Sequence, residues 1–209
     1  MNSLLIFGAG GHGKVVAETA RAVGSWNEIM FVDDAHPQST FVDGYRVVGD
    51  FSSAWSAESK HREVIVAIGD NRKRYDLTIQ LQQSGFSLVT LIHPAAVVAQ
   101  SAQIGSGTVI FAQAVVQAAA RIGRAVIVNT AATVDHDGVI GDGVHLSPGV
   151  NLGGKVMVGD YSWLGVGATV INGLTVGRGV MVGAGACVID NLPDGVTAVG
   201  VPACPVRPK

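Results

Sequence analysis

The chain has 209 residues, enough for two compact units with a sizeable core. Lys and Arg total 14 against 16 Asp and Glu, a net charge of −2, which gives no support to a nucleic-acid or anionic-membrane partner. Hydrophobic residues make up 48% with only 6% aromatic, beside 28 Gly, so the apolar mass is aliphatic and no single run is long enough to cross a bilayer. The first residues, Met1-Asn2-Ser3, carry no basic stretch and meet glycine after Leu4-Leu5-Ile6-Phe7, so they read as a strand and not a signal peptide. Two cysteines, Cys187 and Cys204, have no metal-binding spacing and fit a reducing compartment; the expected location is the cytoplasm.

Leu4 to Phe7 is predicted as a buried parallel strand, followed by Gly8-Ala9-Gly10-Gly11-His12-Gly13 and a helix over Lys14 to Val23 that stops at Gly24. Ile29 to Val32 forms the next strand and ends in Asp33-Asp34. Tyr45 to Val48 reads as an edge or hairpin strand, Val64 to Ile68 as a strand ending in Gly69-Asp70-Asn71, Arg72 to Gln83 as a helix and Leu88 to Ile92 as a last strand. Such alternation predicts a small Rossmann-like parallel-sheet domain over residues 1–94. The glycine loop matches G-x-G-x-x-G, whose main-chain N–H groups at a helix start hold phosphate oxygens. A nicotinamide site is one reading, but the domain is short for a full dinucleotide fold, and a diphosphate on a smaller nucleotide ligand fits better. Glycines needed only for a tight turn are the bland alternative. Asp33, Asp34, Gly69, Asp70 and Asn71 all fall at carboxyl ends of predicted strands, where open α/β sheets bind ligands; ordinary capping and turn chemistry explains any one of them as well.

From Val98 to Val188 an aliphatic residue returns at every sixth position without a miss, sixteen times in succession. That period is the signature of a left-handed parallel β-helix with three faces per coil, here of about five coils of about 18 residues over residues 95–209. The expected fold class is therefore α/β followed by all-β. The residue after the aliphatic is often glycine (Gly105, Gly123, Gly141, Gly153, Gly159, Gly165), read as a tight corner, and the residue four on is mostly small. After Val188 the register is expected to stop, with a turn at Asn191 to Gly195.

Two histidines fall inside the repeat. His136 sits between Asp135 and Asp137, and a carboxylate beside an imidazole fixes its tautomer and raises its basicity, as a general base requires. A solvated surface histidine with acidic neighbours is the bland alternative. About one coil further lies Gly154, and Gly153-Gly154 is expected to leave open space above His136. Zinc needs at least three protein ligands, and the spacings His93 to His136 and His136 to His145 do not supply a compatible set, so no metal is expected.

Ile6 to Lys14, Val66-Ala67-Ile68-Gly69-Asp70-Asn71, Leu91-Ile92-His93-Pro94, Asn129-Thr130, Asp135-His136-Asp137 and Gly200-Val201-Pro202-Ala203, in that order, resemble the sugar acetyltransferases of the bacillosamine, perosamine and sialic-acid O-acetyl type over nearly the whole chain. The resemblance implies a homotrimer with active sites between neighbouring β-helices, a nucleotide-linked amino sugar held by the N-terminal domain, and acetyl-CoA as co-substrate along the β-helix. By position it implies His136 as general base and Asp137 as its carboxylate partner, with Asp135 the other candidate. His145, Gly154, Val166 and Ala184 would contact acetyl-CoA; Ala184 departs from the expected Gly. Gly11, His12, Asp33, Asp34, Gly69 and Asn71 would hold the nucleotide sugar, and Asn129 would lie near the sugar. The implied reaction is attack of a sugar C4 amine on the thioester, with main-chain N–H groups stabilising the oxyanion. UDP is the first expectation for the nucleotide, with dTDP and GDP next. O-acetylation of sialic acid is the alternative within the same chemistry; an NAD-dependent oxidoreductase and a silent nucleotide-sugar binder are the alternatives outside it.

Overall fold

A computed structural model describes residues 2–55 and 63–206, and the chain divides into two compact units, Met1–Pro94 and Ala95–Lys209. In the first, β1 (Ser3–Phe7), α1 (Gly11–Val23), β2 (Glu28–Val32), β3 (Phe41–Val42), β4 (Tyr45–Val47), β5 (Glu63–Val66), α2 (Asn71–Gln83) and β6 (Ser87–Leu88) build a six-stranded sheet in the order β3-β4-β2-β1-β5-β6. All neighbours run parallel except the β3–β4 hairpin. Central β1 explains its own sequence: Leu4, Leu5, Ile6 and Phe7 are each at most 1% exposed, because a parallel strand covered on both faces has no polar side.

Two details differ from the sequence expectations. Helix α1 starts at Gly11, not Lys14, with Gly10 as its N-cap, so the second half of the glycine motif is already helical. The strand at Tyr45 is a hairpin strand, one of the two expected forms, with Phe41–Val42 as its partner. The expected strand Leu88 to Ile92 is broken: Ser87–Leu88 pairs with Glu63–Val64, and the two-residue strand β7 (Leu91–Ile92) does not continue that sheet.

The second unit is a left-handed parallel β-helix of sixteen two-residue strands, from β8 (Val97–Val98) to β23 (Cys187–Val188), one per hexad. Val115 pairs with Thr133, Thr133 with Asn151, Asn151 with Thr169 and Thr169 with Cys187, a rise of eighteen residues per coil. From Ile110 to Val188 every sixth-position aliphatic is at most 4% exposed. The interior hydroxyls are satisfied: Thr108 donates to Gly123 O at 2.8 Å and Ser162 to Gly177 O at 2.7 Å.

The corner chemistry differs from expectation. The glycines directly after the aliphatics do not supply left-handed backbone; a Cβ on Gly105 would lie 2.5 Å from the Gly123 main chain, and one on Gly141 2.7 Å from Asp160 N. They are small because successive coils press together there. The left-handed residue comes two places later, at Gln113, Ala119, Ala125, Ala131, Asp137, Lys155 and Tyr161 among others. After Val188 the eighteen-residue register stops, as expected, but the coil itself continues. Leu192 and Ala198 still fill the interior, and β24 (Thr197–Val199) stacks on Met181–Val182 before β25 (Cys204–Val206) folds back antiparallel. The spacing simply shortens, Met181 pairing with Thr197.

Candidate active site

His136 follows the strand Thr133–Val134 at a corner of the prism, and the residue after it is forced into the left-handed region, φ 58° at Asp137. Aspartate tolerates that conformation better than most residues. The turn brings Asp137 Oδ2 to 2.9 Å from His136 Nδ1. Asp135 does something else: its Oδ1 accepts the main-chain N–H of His136 at 2.7 Å. The ring is therefore paired with Asp137, and the hydrogen bond from His136 holds the Asp137 carboxyl below the usual carboxylate range, with smaller help from the charges of His136, Lys155 and Arg121. A carboxylate can only accept, so Nδ1 carries a proton, and in the neutral ring Nε2 is the nitrogen with the lone pair.

Nε2 points at the next coil. A Cβ on Gly154 would lie 2.4 Å from it and 2.7 Å from Cε1. The gap expected above His136 is thus filled by the imidazole itself and belongs to Gly154 alone; Gly153 is a coil contact, its Cβ 2.7 Å from Asn172 N. Beside the ring lies an open groove of about 560 Å3, with Asp135, Asn151, Thr169, Asn172 and Ile171 on its walls. Asn151 and Thr169 were not singled out from the sequence. Their signal was available: both lie in register with Thr133, one and two coils on.

His145 belongs to the strand His145–Leu146, on a different face from the His136 strand. Asn129 Nδ2 lies 3.2 Å from its Nε2, and the Trp163 indole stacks on its ring at 5.4 Å between centroids and 8° between planes. Trp163 Nε1 in turn donates to Ser147 Oγ at 2.8 Å. The structure so unites Asn129 with His145 and adds Trp163 and Ser147. Val166 and Ala184 follow the strands Trp163–Leu164 and Met181–Val182 of that same face, both exposed, while Gly154 lies apart from them at the His136 corner.

In the first unit the glycine motif divides by role. A Cβ on Gly13 would lie 2.1 Å from Gly8 O, and Gly8 has φ 108°, so both are required by the close approach of helix and strand. Gly10, Gly11 and Gly69 meet nothing within 4 Å and border open space. Asp33 ties the loop down, accepting the N–H groups of Ala9 at 2.7 Å and Ala35 at 2.9 Å, while Asp34 accepts that of Phe51 at 3.2 Å. His12 is neutral, its pKa lowered to about 4 by burial and then by the Arg74 charge. Arg74 is 1% exposed and donates to the carbonyls of Ile68 and Gly69 and to Asn71 Oδ1 at 2.9, 3.2 and 2.8 Å. The sequence reading passed over it, because a lone arginine in a polar helix carries no mark of burial. Among the described residues, no three His, Cys, Asp or Glu side chains converge as a metal site, and no helix is long and apolar enough to cross a membrane.

Residues 3–81 match the PglD N-terminal domain. A stretch of 114 residues is 41% identical to the UDP-N-acetylbacillosamine N-acetyltransferase of Bacillus subtilis (strain 168), covering 52% of this chain and spanning half (50%) of that protein. The acetyltransferase domain of PglB from Neisseria gonorrhoeae FA1090 in complex with acetyl coenzyme A superimposes with a TM-score of 0.93 at 46% identity, over 99% of this chain and 100% of that one. PerB from Caulobacter crescentus in complex with CoA and GDP-perosamine gives a TM-score of 0.93 at 42% identity, over 99% of this chain and 98% of that one. On these full-length matches, the chain belongs to the family of nucleotide-sugar N-acetyltransferases of the bacillosamine and perosamine type, acetyl-CoA-dependent enzymes built on the left-handed β-helix.

Proposed function

We propose that this protein acetylates the C4 amine of a nucleotide-linked 4-amino-4,6-dideoxyhexose, with His136 as general base. The observation that carries the reading is the Asp137–His136 pair, which turns Nε2 toward the groove at a coil position where Gly154 leaves room for the ring. Bound acetyl-CoA supplies the acyl group as a thioester. His136 Nε2 takes the proton from the amine as its nitrogen bonds the thioester carbon, and Asp137 holds the resulting imidazolium in place through Nδ1. Collapse of the tetrahedral adduct breaks the C–S bond, so that CoA leaves as the thiol with the proton from the imidazolium. Gly154 leaves its main chain open to the groove. His145, Val166 and Ala184 serve the acetyl-CoA end, supported by their grouping on one flank of the β-helix.

The unit Met1–Pro94 takes the nucleotide sugar, with the open backbone at Gly10, Gly11 and Gly69 receiving the diphosphate and His12 entering as a neutral donor. Asp33, Asn71 and Asp34 act by holding the loops, through the bonds to Ala9, Arg74 and Phe51. The working unit is a homotrimer with its sites between neighbouring β-helices, and the free Cys187 and Cys204 favour a reducing, cytoplasmic setting.

The test is CoA release from acetyl-CoA in the presence of the UDP-, dTDP- and GDP-linked 4-amino-4,6-dideoxyhexoses. Turnover with one of them, and a kcat about a hundred- to ten-thousandfold lower in His136→Ala, is expected. No release with any of the three, or an unchanged rate in His136→Ala, refutes the assignment.

A further inference from the structure

The imidazole of His145 is held in one orientation and one tautomer by residues that are 16 to 18 positions away along the chain. Asn129 settles the tautomer. Its Oδ1 accepts the main-chain N–H of Thr130 at 2.9 Å, so the amide turns its Nδ2 donor toward His145 Nε2 at 3.2 Å. A ring nitrogen facing an N–H donor is an acceptor, which places the His145 proton on Nδ1. Trp163 settles the plane. It is the register partner of His145 one coil on, and its indole lies 8° from parallel with the imidazole. Ser147, 4% exposed and two residues after His145, fixes the indole edge by accepting its N–H at 2.8 Å.

Nothing in the core demands this tryptophan. The interior position of that strand is Leu164, 0% exposed, whereas Trp163 points outward and is 43% exposed. A large aromatic on an outward face gains little from burial, so its parallel seat and tethered N–H call for another reason.

We propose that Trp163 is a positioning residue for His145, with Ser147 as the anchor that sets the indole, and that together they fix the orientation of the imidazole at the acetyl-CoA end. The inference rests on the reading that His145 serves the acetyl-CoA end. It adds two residues to the machinery for acetyl-CoA, and neither lies in the His136 groove.

The experiment compares Trp163→Ala, Trp163→Phe and Ser147→Ala with the wild-type protein by calorimetric acetyl-CoA binding, which needs no acceptor. It adds steady-state KM values for acetyl-CoA and for the sugar, and the thermal midpoint. Trp163→Ala is expected to raise Kd and KM for acetyl-CoA about tenfold, with the sugar KM within twofold and Tm nearly unchanged. Trp163→Phe, which keeps a stacking ring, should recover most of the loss, and Ser147→Ala should lie between. Acetyl-CoA parameters within twofold of wild type in Trp163→Ala overturn the proposal, as does a phenylalanine variant no better than alanine. If the wild type binds acetyl-CoA but acetylates no nucleotide amino sugar, the functional reading falls while the binding series still decides the role of Trp163. A wild type that binds no acetyl-CoA overturns both.

Discussion

Gly154→Ala separates the proposed catalytic geometry from the fold. The added Cβ would sit 2.4 Å from His136 Nε2, 2.7 Å from Cε1 and 3.0 Å from Cδ2, while ordinary contact begins near 3.4 Å, so the ring must retreat by about 1 Å. Retreat is easy, because the His136 side chain is 54% exposed. Gly154 has no left-handed φ, so alanine is not strained there. A displacement of about 1 Å at a reacting group costs on the order of a hundredfold in rate, which is about 2.7 kcal/mol of barrier. The expectation is therefore a kcat about a hundredfold lower, acetyl-CoA affinity changed by much less, and a thermal midpoint equal to or slightly above wild type, since Gly→Ala at a compatible site stabilises by about 0.4–1 kcal/mol. CoA-release kinetics and a thermal melt on the same preparation decide it. Full activity would refute the placement of Nε2 as the working atom, and lost activity with lost stability would refute the claim that only the imidazole moves.

Asp137→Asn should lower kcat about ten- to a hundredfold, because an amide can donate to Nδ1 and turn the working lone pair away from the groove, whereas Asp135→Asn should cost only a few-fold; equal effects in kcat would reverse that assignment. His12 makes stability depend on pH. Its folded pKa of about 4 lies below the ordinary 6.5, so the unfolded chain binds the proton first, and stability is full above about pH 6.5 and falls as pH drops toward 4. The loss is about 3 kcal/mol in a denaturant series, and His12→Gln should flatten that slope. Gly141→Ala should destabilise by about 1–3 kcal/mol, since its Cβ meets the Asp160 main chain at 2.7 Å, and Gly173→Ala, in open space at φ 76°, only by the left-handed strain of about 1 kcal/mol; a smaller loss at Gly141 than at Gly173 would return the corner role to the first set of glycines.

The six-residue period was legible because it is a local fact repeated sixteen times: each aliphatic must face inward or the prism has no core. The same holds for the first unit, where an unbroken apolar run followed by glycines dictates a buried strand and a helix start. His136 was legible too, as an imidazole between two carboxylates in an alanine-rich surface. What no linear pattern contained was direction. Asp135 and Asp137 flank the histidine alike in sequence, and only the left-handed turn at Asp137 swings its carboxylate onto Nδ1. Likewise, which glycine is a corner, which a coil contact and which a seat for the imidazole depends on atoms one coil away.

Arg74 beneath His12 and Ser147 behind Trp163 have no signature of their own, because burial and hydrogen bonding across coils or strands are properties of neighbours far apart in the chain. The chain's own pattern determined that there would be a prism, a glycine-opened helix and an imidazole on a corner. Tertiary structure decided which way that imidazole faces and what holds it there, since side-chain direction follows from the sign of φ and the exact stacking of coils rather than from residue type.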